Sequence, residues 1–242
     1  MDVAARPTQS APATRRPPTG FDAPAERSTL RHWRVLEAGD STVLGEILQP
    51  DVALAIWCRR LPLPLAAWLR SLDSACLPDG RVLARRRDVP AALGELMDRS
   101  NTPAAPQRAE LRRDIAQLAE LFAGIMSTDL VDLRLESIHG DACWKFHRDH
   151  VAARLLTTYR GPGTQWVEPR YAVRAITEQE AYDGPLKQLA PHAVGMFRGD
   201  ALPGLRGVVH RSPPIAGTGA VRLLLCLNLP SPASPELWEP AR

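Results

Sequence analysis

Leu130-Val131-Asp132-Leu133-Arg134-Leu135-Glu136 is the stretch on which the fold turns. Val131, Leu133 and Leu135 alternate with Asp132, Arg134 and Glu136, the two-residue repeat of a strand with one buried face. Downstream of it, short strand candidates follow in series at 153–159, 164–168, 171–176, 193–198, 206–211 and 221–229. Turn formers separate them: Gly161-Pro162-Gly163, Asp183-Gly184-Pro185, Gly199-Asp200 and Gly217-Thr218-Gly219. Many short, punctuated strands predict a sandwich or barrel of the jelly-roll kind over residues 129–230.

Upstream the period lengthens. Val43, Leu44, Ile47 and Leu48 fall at helical spacing behind Asp40 and Ser41, either of which suits an N-cap. Val52 to Arg60 and Leu65 to Leu72 read as further helices. Ala105 to Met126 is the longest, with Leu111, Ile115, Leu118, Leu121 and Phe122 recurring every three or four residues. The expected architecture is therefore α+β. A helical region at 29–128, without any catalytic motif, packs on a C-terminal β core at 129–230. Residues 1–28, rich in Pro, Ala, Thr and Arg and without periodicity, read as a disordered tail, and 231–242 as a C-terminal tail.

Composition narrows the function classes. Hydrophobic residues make up 45% of the 242, enough for an ordinary core, and a net charge of +3 gives no basis for a nucleic-acid partner. The densest basic run, Arg85-Arg86-Arg87, is followed at once by Asp88 and reads as a solvated face. No apolar run approaches the roughly 20 residues that span a bilayer, and Met1-Asp2-Val3 opens no signal peptide. Cys58, Cys76, Cys143 and Cys226 lack CxxC pairing and read as reduced thiols. The expectation is a cytoplasmic protein without a membrane partner.

The chemistry concentrates in Trp144-Lys145-Phe146-His147-Arg148-Asp149-His150. On a strand, residues two apart share a side, so His147 and Asp149 reach one ion while Arg148 turns away. His210, in Gly207-Val208-Val209-His210-Arg211-Ser212-Pro213-Pro214, lies on a late strand of the same region. Two imidazoles and one carboxylate leave three positions of an octahedral ion open, which suits Fe(II) with a bidentate co-substrate and dioxygen. Arg222 opens the apolar strand Val221 to Leu229. A charge there requires a buried partner, and a carboxylate gripped by two hydrogen bonds supplies one.

The order HxD, distal His, then a basic residue about ten residues on resembles the Fe(II)/2-oxoglutarate-dependent dioxygenases. The text around His210 is similar to prolyl-hydroxylase-like members. Met196-Phe197-Arg198-Gly199 precedes it, and the chain then runs from Ser212-Pro213-Pro214-Ile215 to Arg222-Leu223-Leu224-Leu225. The resemblance implies a double-stranded β-helix of the jelly-roll or cupin-like kind. It also implies iron on His147, Asp149 and His210, and Arg222 on the distal carboxylate of 2-oxoglutarate. Cys143 to Trp166, with Phe146-His147-Arg148-Asp149 and Gly161-Pro162-Gly163-Thr164, also resembles a bacterial family known as a domain of unknown function. The genes of that family sometimes lie beside those of zinc-responsive metallochaperone GTPases.

Several residues carry competing readings. Tyr159 closes the strand after HxD and either bonds the co-substrate or fills the barrel mouth, while Arg154 is a candidate second anion contact. His139-Gly140-Asp141 is a second HxD that reads better as a turn. His150 and His192 read as surface or loop residues, and Trp57, Trp144 and Trp166 as packing. Cys143 would become a fourth ligand if the metal were zinc. Two rivals follow: a cupin-like metalloenzyme without 2-oxoglutarate, and a non-enzymatic zinc or metal-handling protein. The substrate, a small molecule or a peptide, is not legible, nor is the oligomeric state.

Overall fold

A computed structural model describes residues 33–240. The described residues form ten strands and four α-helices. In chain order they are β1 (Arg34–Ala38), β2 (Val52–Trp57), α1 (Leu63–Ser71), β3 (Gly80–Arg85), α2 (Val89–Arg99), α3 (Pro106–Ile125), β4 (Leu130–Ile138), β5 (Ala153–Arg160) and β6 (Gln165–Trp166). There follow α4 (Pro169–Glu178), β7 (Lys187–Gln188), β8 (Val194–Arg198), β9 (His210–Arg211) and β10 (Arg222–Asn228). Seven strands form one sheet in the order β1-β2-β8-β5-β10-β4-β3, and β7-β6-β9 form a second. Only β1 and β2 run parallel in the large sheet. With β1 and β3 as its edges that sheet is open, so the α+β class holds while the strands do not close into a barrel.

The helical periodicities hold at α1 and α3, and Ser41–Leu48 forms a 3-10 helix whose N-cap Asp40 accepts from the Thr42 amide at 3.0 Å. Two segments differ from expectation. Val52-Ala53-Leu54-Ala55-Ile56-Trp57, expected as helix, is the inner strand β2. Residues 52–56 are buried on both faces, so no polar alternation marks the strand, and a short apolar run cannot be assigned by period. With β1 and β3 it shows that residues 29–128 are not purely helical: three of the seven large-sheet strands come from there. The reverse error falls at 171–176, expected as strand and found in α4. Pro169 starts that helix at its first turn, and Ala172 and Ala175 face inward one helical turn apart.

The two faces of the large sheet are covered differently. Leu155 and Tyr159 of β5 and Leu223, Leu225 and Leu227 of β10 pack with Leu69 of α1, Leu93 of α2 and Ile115 and Phe122 of α3. Leu156, Leu224 and Cys226, the alternate residues, face Trp166, Leu189, Val208 and Ile215 of the smaller sheet and its loops. Each fully buried leucine of the helix side contributes about 1.5–3 kcal/mol relative to exposure. Residues expected as a C-terminal tail are tied down in part. Trp238 donates its amide to Leu83 O at 2.7 Å and its indole to Glu95 at 3.0 Å. The expected N-terminal tail lies outside the described residues. Among these, no helix is long and apolar enough to cross a membrane.

Candidate metal centre

His147 and His210 meet across a backbone bridge. The His147 amide donates to His210 O at 3.1 Å and the His210 amide to His147 O at 3.0 Å, the doubly bonded antiparallel pair. Their rings stand 4.6 Å apart between centroids. Each Nδ1 meets a carbonyl two residues earlier, Lys145 O at 2.8 Å and Val208 O at 2.9 Å. A carbonyl only accepts, so both Nδ1 atoms carry a proton, and in the neutral ring this leaves the lone pair on Nε2. Burial, opposed by the Asp149 charge, pushes His210 down to about 4, so it is neutral at physiological pH.

Asp149 lies between them. Its Oδ1 is 3.7 Å from His147 Nε2 and its Oδ2 is 3.4 Å from His210 Nε2. One ligand atom from each of the three residues falls within 4.8 Å of the others, the only such group of three among the described residues. Asp149 Oδ2 is buried without a hydrogen-bond partner. A buried, orphaned carboxylate oxygen is costly unless something outside the chain satisfies it. Two imidazoles whose Nδ1 protons are engaged elsewhere, with Nε2 left to ligate, and one such oxygen fit a cation.

Around this point lies a cavity of about 200 Å³, lined by His147, His210, Thr164, Leu224 and Cys143 among others. Cys143 lines it without joining the three-residue ligand group. Near the cavity Arg222 is fully buried. Its Nε donates to Pro162 O at 2.8 Å, one Nη to Ser212 Oγ at 2.8 Å and the other to Thr158 Oγ1 at 3.5 Å. All three partners are neutral, and no ion pair of Arg222 is found among the described residues. Burial accordingly pushes the guanidinium down to about 10. The expected carboxylate partner is not supplied by these residues. Gly161, at φ +84°, makes the close approach possible: a Cβ there would collide with Val221 O and the Arg222 side chain.

Tyr159 is on the other side. Its hydroxyl donates to Asp114 of α3 at 2.5 Å, and Arg59 grips the same carboxylate with two nitrogens, one at 2.9 Å. Strand parity is the reason: 154, 156 and 158 turn to the cavity and 155, 157 and 159 to the helices. Arg154 does face the cavity, yet its contact is Asp149 Oδ1 at 2.6 Å and Asn228 Oδ1 at 2.7 Å. The competing HxD is a turn element. His139 Nε2 meets Ser137 Oγ, and Asp141 accepts from the Ile215 and Ala216 amides. His150 is exposed, and the His192 carbonyl accepts from Arg59 and Thr157.

Two contributors escaped the sequence reading. Ser212, two residues after His210, shares its side by the same parity and holds Arg222. Gln179, at the end of α4, accepts from the Phe146 amide at 2.8 Å and donates to Phe146 O at 3.0 Å, pinning the backbone just before His147. No local pattern marks that contact.

Fold and site thus define an α+β protein with a His-Asp-His cluster suited to a metal. The chain belongs to the family described as "Protein of unknown function (DUF1826)", which matches residues 38–228. No curated protein matches the sequence. Among solved structures, the apo form of a C-terminally truncated Neurospora crassa protein is 14% identical at a TM-score of 0.41, covering 82% of this chain and 95% of that one. The same Neurospora crassa protein at full length, in complex with alpha-KG and 5-formyluracil, gives 12% and 0.38, with 81% and 83% covered. A Pseudomonas putida prolyl-4-hydroxylase gives 14% and 0.31, with 70% and 95% covered. At such scores the likeness carries no argument about chemistry, which rests on the site.

Proposed function

We propose that the protein is a non-haem Fe(II)/2-oxoglutarate-dependent oxygenase of hydroxylase type, its two sheets forming an open double-stranded β-helix. The observation that carries the proposal is the meeting of His147, Asp149 and His210, one ligand atom from each within 4.8 Å of the others, with Asp149 Oδ2 buried and orphaned. Such a facial set leaves three octahedral positions for a chelating co-substrate and dioxygen. Buried Arg222, held only by neutral partners, is the anchor for the distal carboxylate of 2-oxoglutarate, with the Ser212 hydroxyl beside it.

When bound, iron and 2-oxoglutarate supply the oxidation: the co-substrate leaves as succinate and carbon dioxide while the substrate gains one oxygen atom. The chain supplies placement. Lys145 O and Val208 O hold the imidazole protons on Nδ1 and aim both Nε2 atoms inward. Burial of His210, Asp149 and Arg222 keeps water from the metal and the anion anchor. The half-exposed His147 marks the side open to a small-molecule or peptide substrate.

Anaerobic titration with Fe(II) and then 2-oxoglutarate tests this. A weak visible charge-transfer band is expected, absent in His147→Ala. Tight zinc binding with no such band overturns the proposal in favour of metal handling. Metal-dependent turnover untouched by Arg222→Ala overturns it in favour of a cupin-like enzyme without 2-oxoglutarate.

A further inference from the structure

The two oxygens of Asp149 are not equivalent. Oδ2 is buried and unpartnered beside His210, whereas Oδ1 takes a charge-assisted bond of 2.6 Å from Arg154 Nη1. Arg154 is itself fixed. It sits opposite Asn228 across the β5–β10 pair, and its Nε donates to Asn228 Oδ1 at 2.7 Å. The Asn228 amide nitrogen in turn donates to Cys226 Sγ at 3.3 Å, so its oxygen is the atom left for the arginine. The run Cys226–Asn228–Arg154–Asp149 ends on one carboxylate oxygen and leaves the other bare.

A carboxylate can ligate through one oxygen or chelate through both. With two imidazoles, chelation fills four octahedral positions and leaves two, too few for a bidentate co-substrate together with dioxygen. We infer that Arg154, anchored by Asn228, is a positioning residue that withholds Asp149 Oδ1 from the metal and so keeps the third open position free. This rests on the functional reading above, and deepens it by naming the group that sets the coordination number. The guanidinium was a candidate anion contact in the sequence; in the structure the anion it holds is the chain's own ligand.

Co(II) serves as the probe, because its visible bands report coordination number without turnover. The wild type, R154M, R154K and N228A are titrated with Co(II), circular dichroism reporting the fold. In R154M the freed Oδ1 joins the ion, and the band of the bound form is expected to shift. R154K, whose ammonium still caps Oδ1, is expected to retain the wild-type band, and N228A to shift in the R154M direction by less. A role confined to folding would lower the bound fraction and leave the band of the bound form in place. Superimposable spectra for wild type and R154M therefore overturn the inference. Should R154M not fold, N228A decides alone, and a wild-type band there overturns it. Failure of the wild type to take up Co(II) overturns the functional reading itself, an outcome distinct from an unshifted band.

Discussion

The two faces of strands β5 and β10 carry the same kinds of residue in opposite states of completion. On the helix side, charge is closed within the chain: Arg59 grips Asp114 with two nitrogens and the Tyr159 hydroxyl binds the same carboxylate. Burial, and next the Asp114 charge, push the Tyr159 phenol well above its usual range, so it remains a neutral donor. On the cavity side Arg222 has only neutral partners, and Asp149 Oδ2 has none. A finished polar network secures a fold, and unfinished valence in a buried place marks where something from outside belongs.

That contrast breaks if the two sides respond alike to mutation. The largest effect is expected from Asp114→Ala, which strands Arg59 and the Tyr159 hydroxyl. Chemical denaturation should show a loss of about 3–5 kcal/mol, with Co(II) affinity unchanged. On the cavity side His210→Ala should weaken Co(II) binding by about 100-fold or more, measured calorimetrically, a loss larger than changes to the groups behind a ligand usually cause. Arg222→Met should cost affinity for 2-oxoglutarate by about 100-fold, read from the charge-transfer band, with Fe(II) still bound. Its melting temperature should rise, since an apolar side chain of similar volume replaces a buried charge lacking a carboxylate. A fall would mean that the guanidinium is as complete as Arg59. The smallest effect is Tyr159→Phe, about 1 kcal/mol in stability and none on co-substrate affinity, and a change in that affinity would return Tyr159 to the site.

Much of this was legible, and the gaps have physical reasons. His147, Asp149 and His210 were readable from the ligand chemistry of an HxD and a distal histidine, although the strand expected to carry His147 and Asp149 is only a single bridge at His147. Arg154 and Tyr159 cannot share a face of one regular strand, being five residues apart, so parity already argued against using both. The same rule pointed to Ser212 from His210. β2 was not readable, because burial on both faces removes the alternation that identifies a strand. Gln179 was not either: its bond to Phe146 joins a helix end to a distant loop, and nothing in the local sequence encodes that proximity.

The bridge between His147 and His210 has a mechanical consequence. A metal held by both would act as a clasp between points roughly sixty residues apart in the chain, and closing such a loop costs an unfolded chain entropy that grows only slowly with length. In the folded protein two backbone hydrogen bonds have already closed it. A metal bound there would thus find its ends pre-joined, and by linkage would raise the melting temperature as its concentration exceeds the dissociation constant. The last small strand would then be a fastener whose latch is the bound ion.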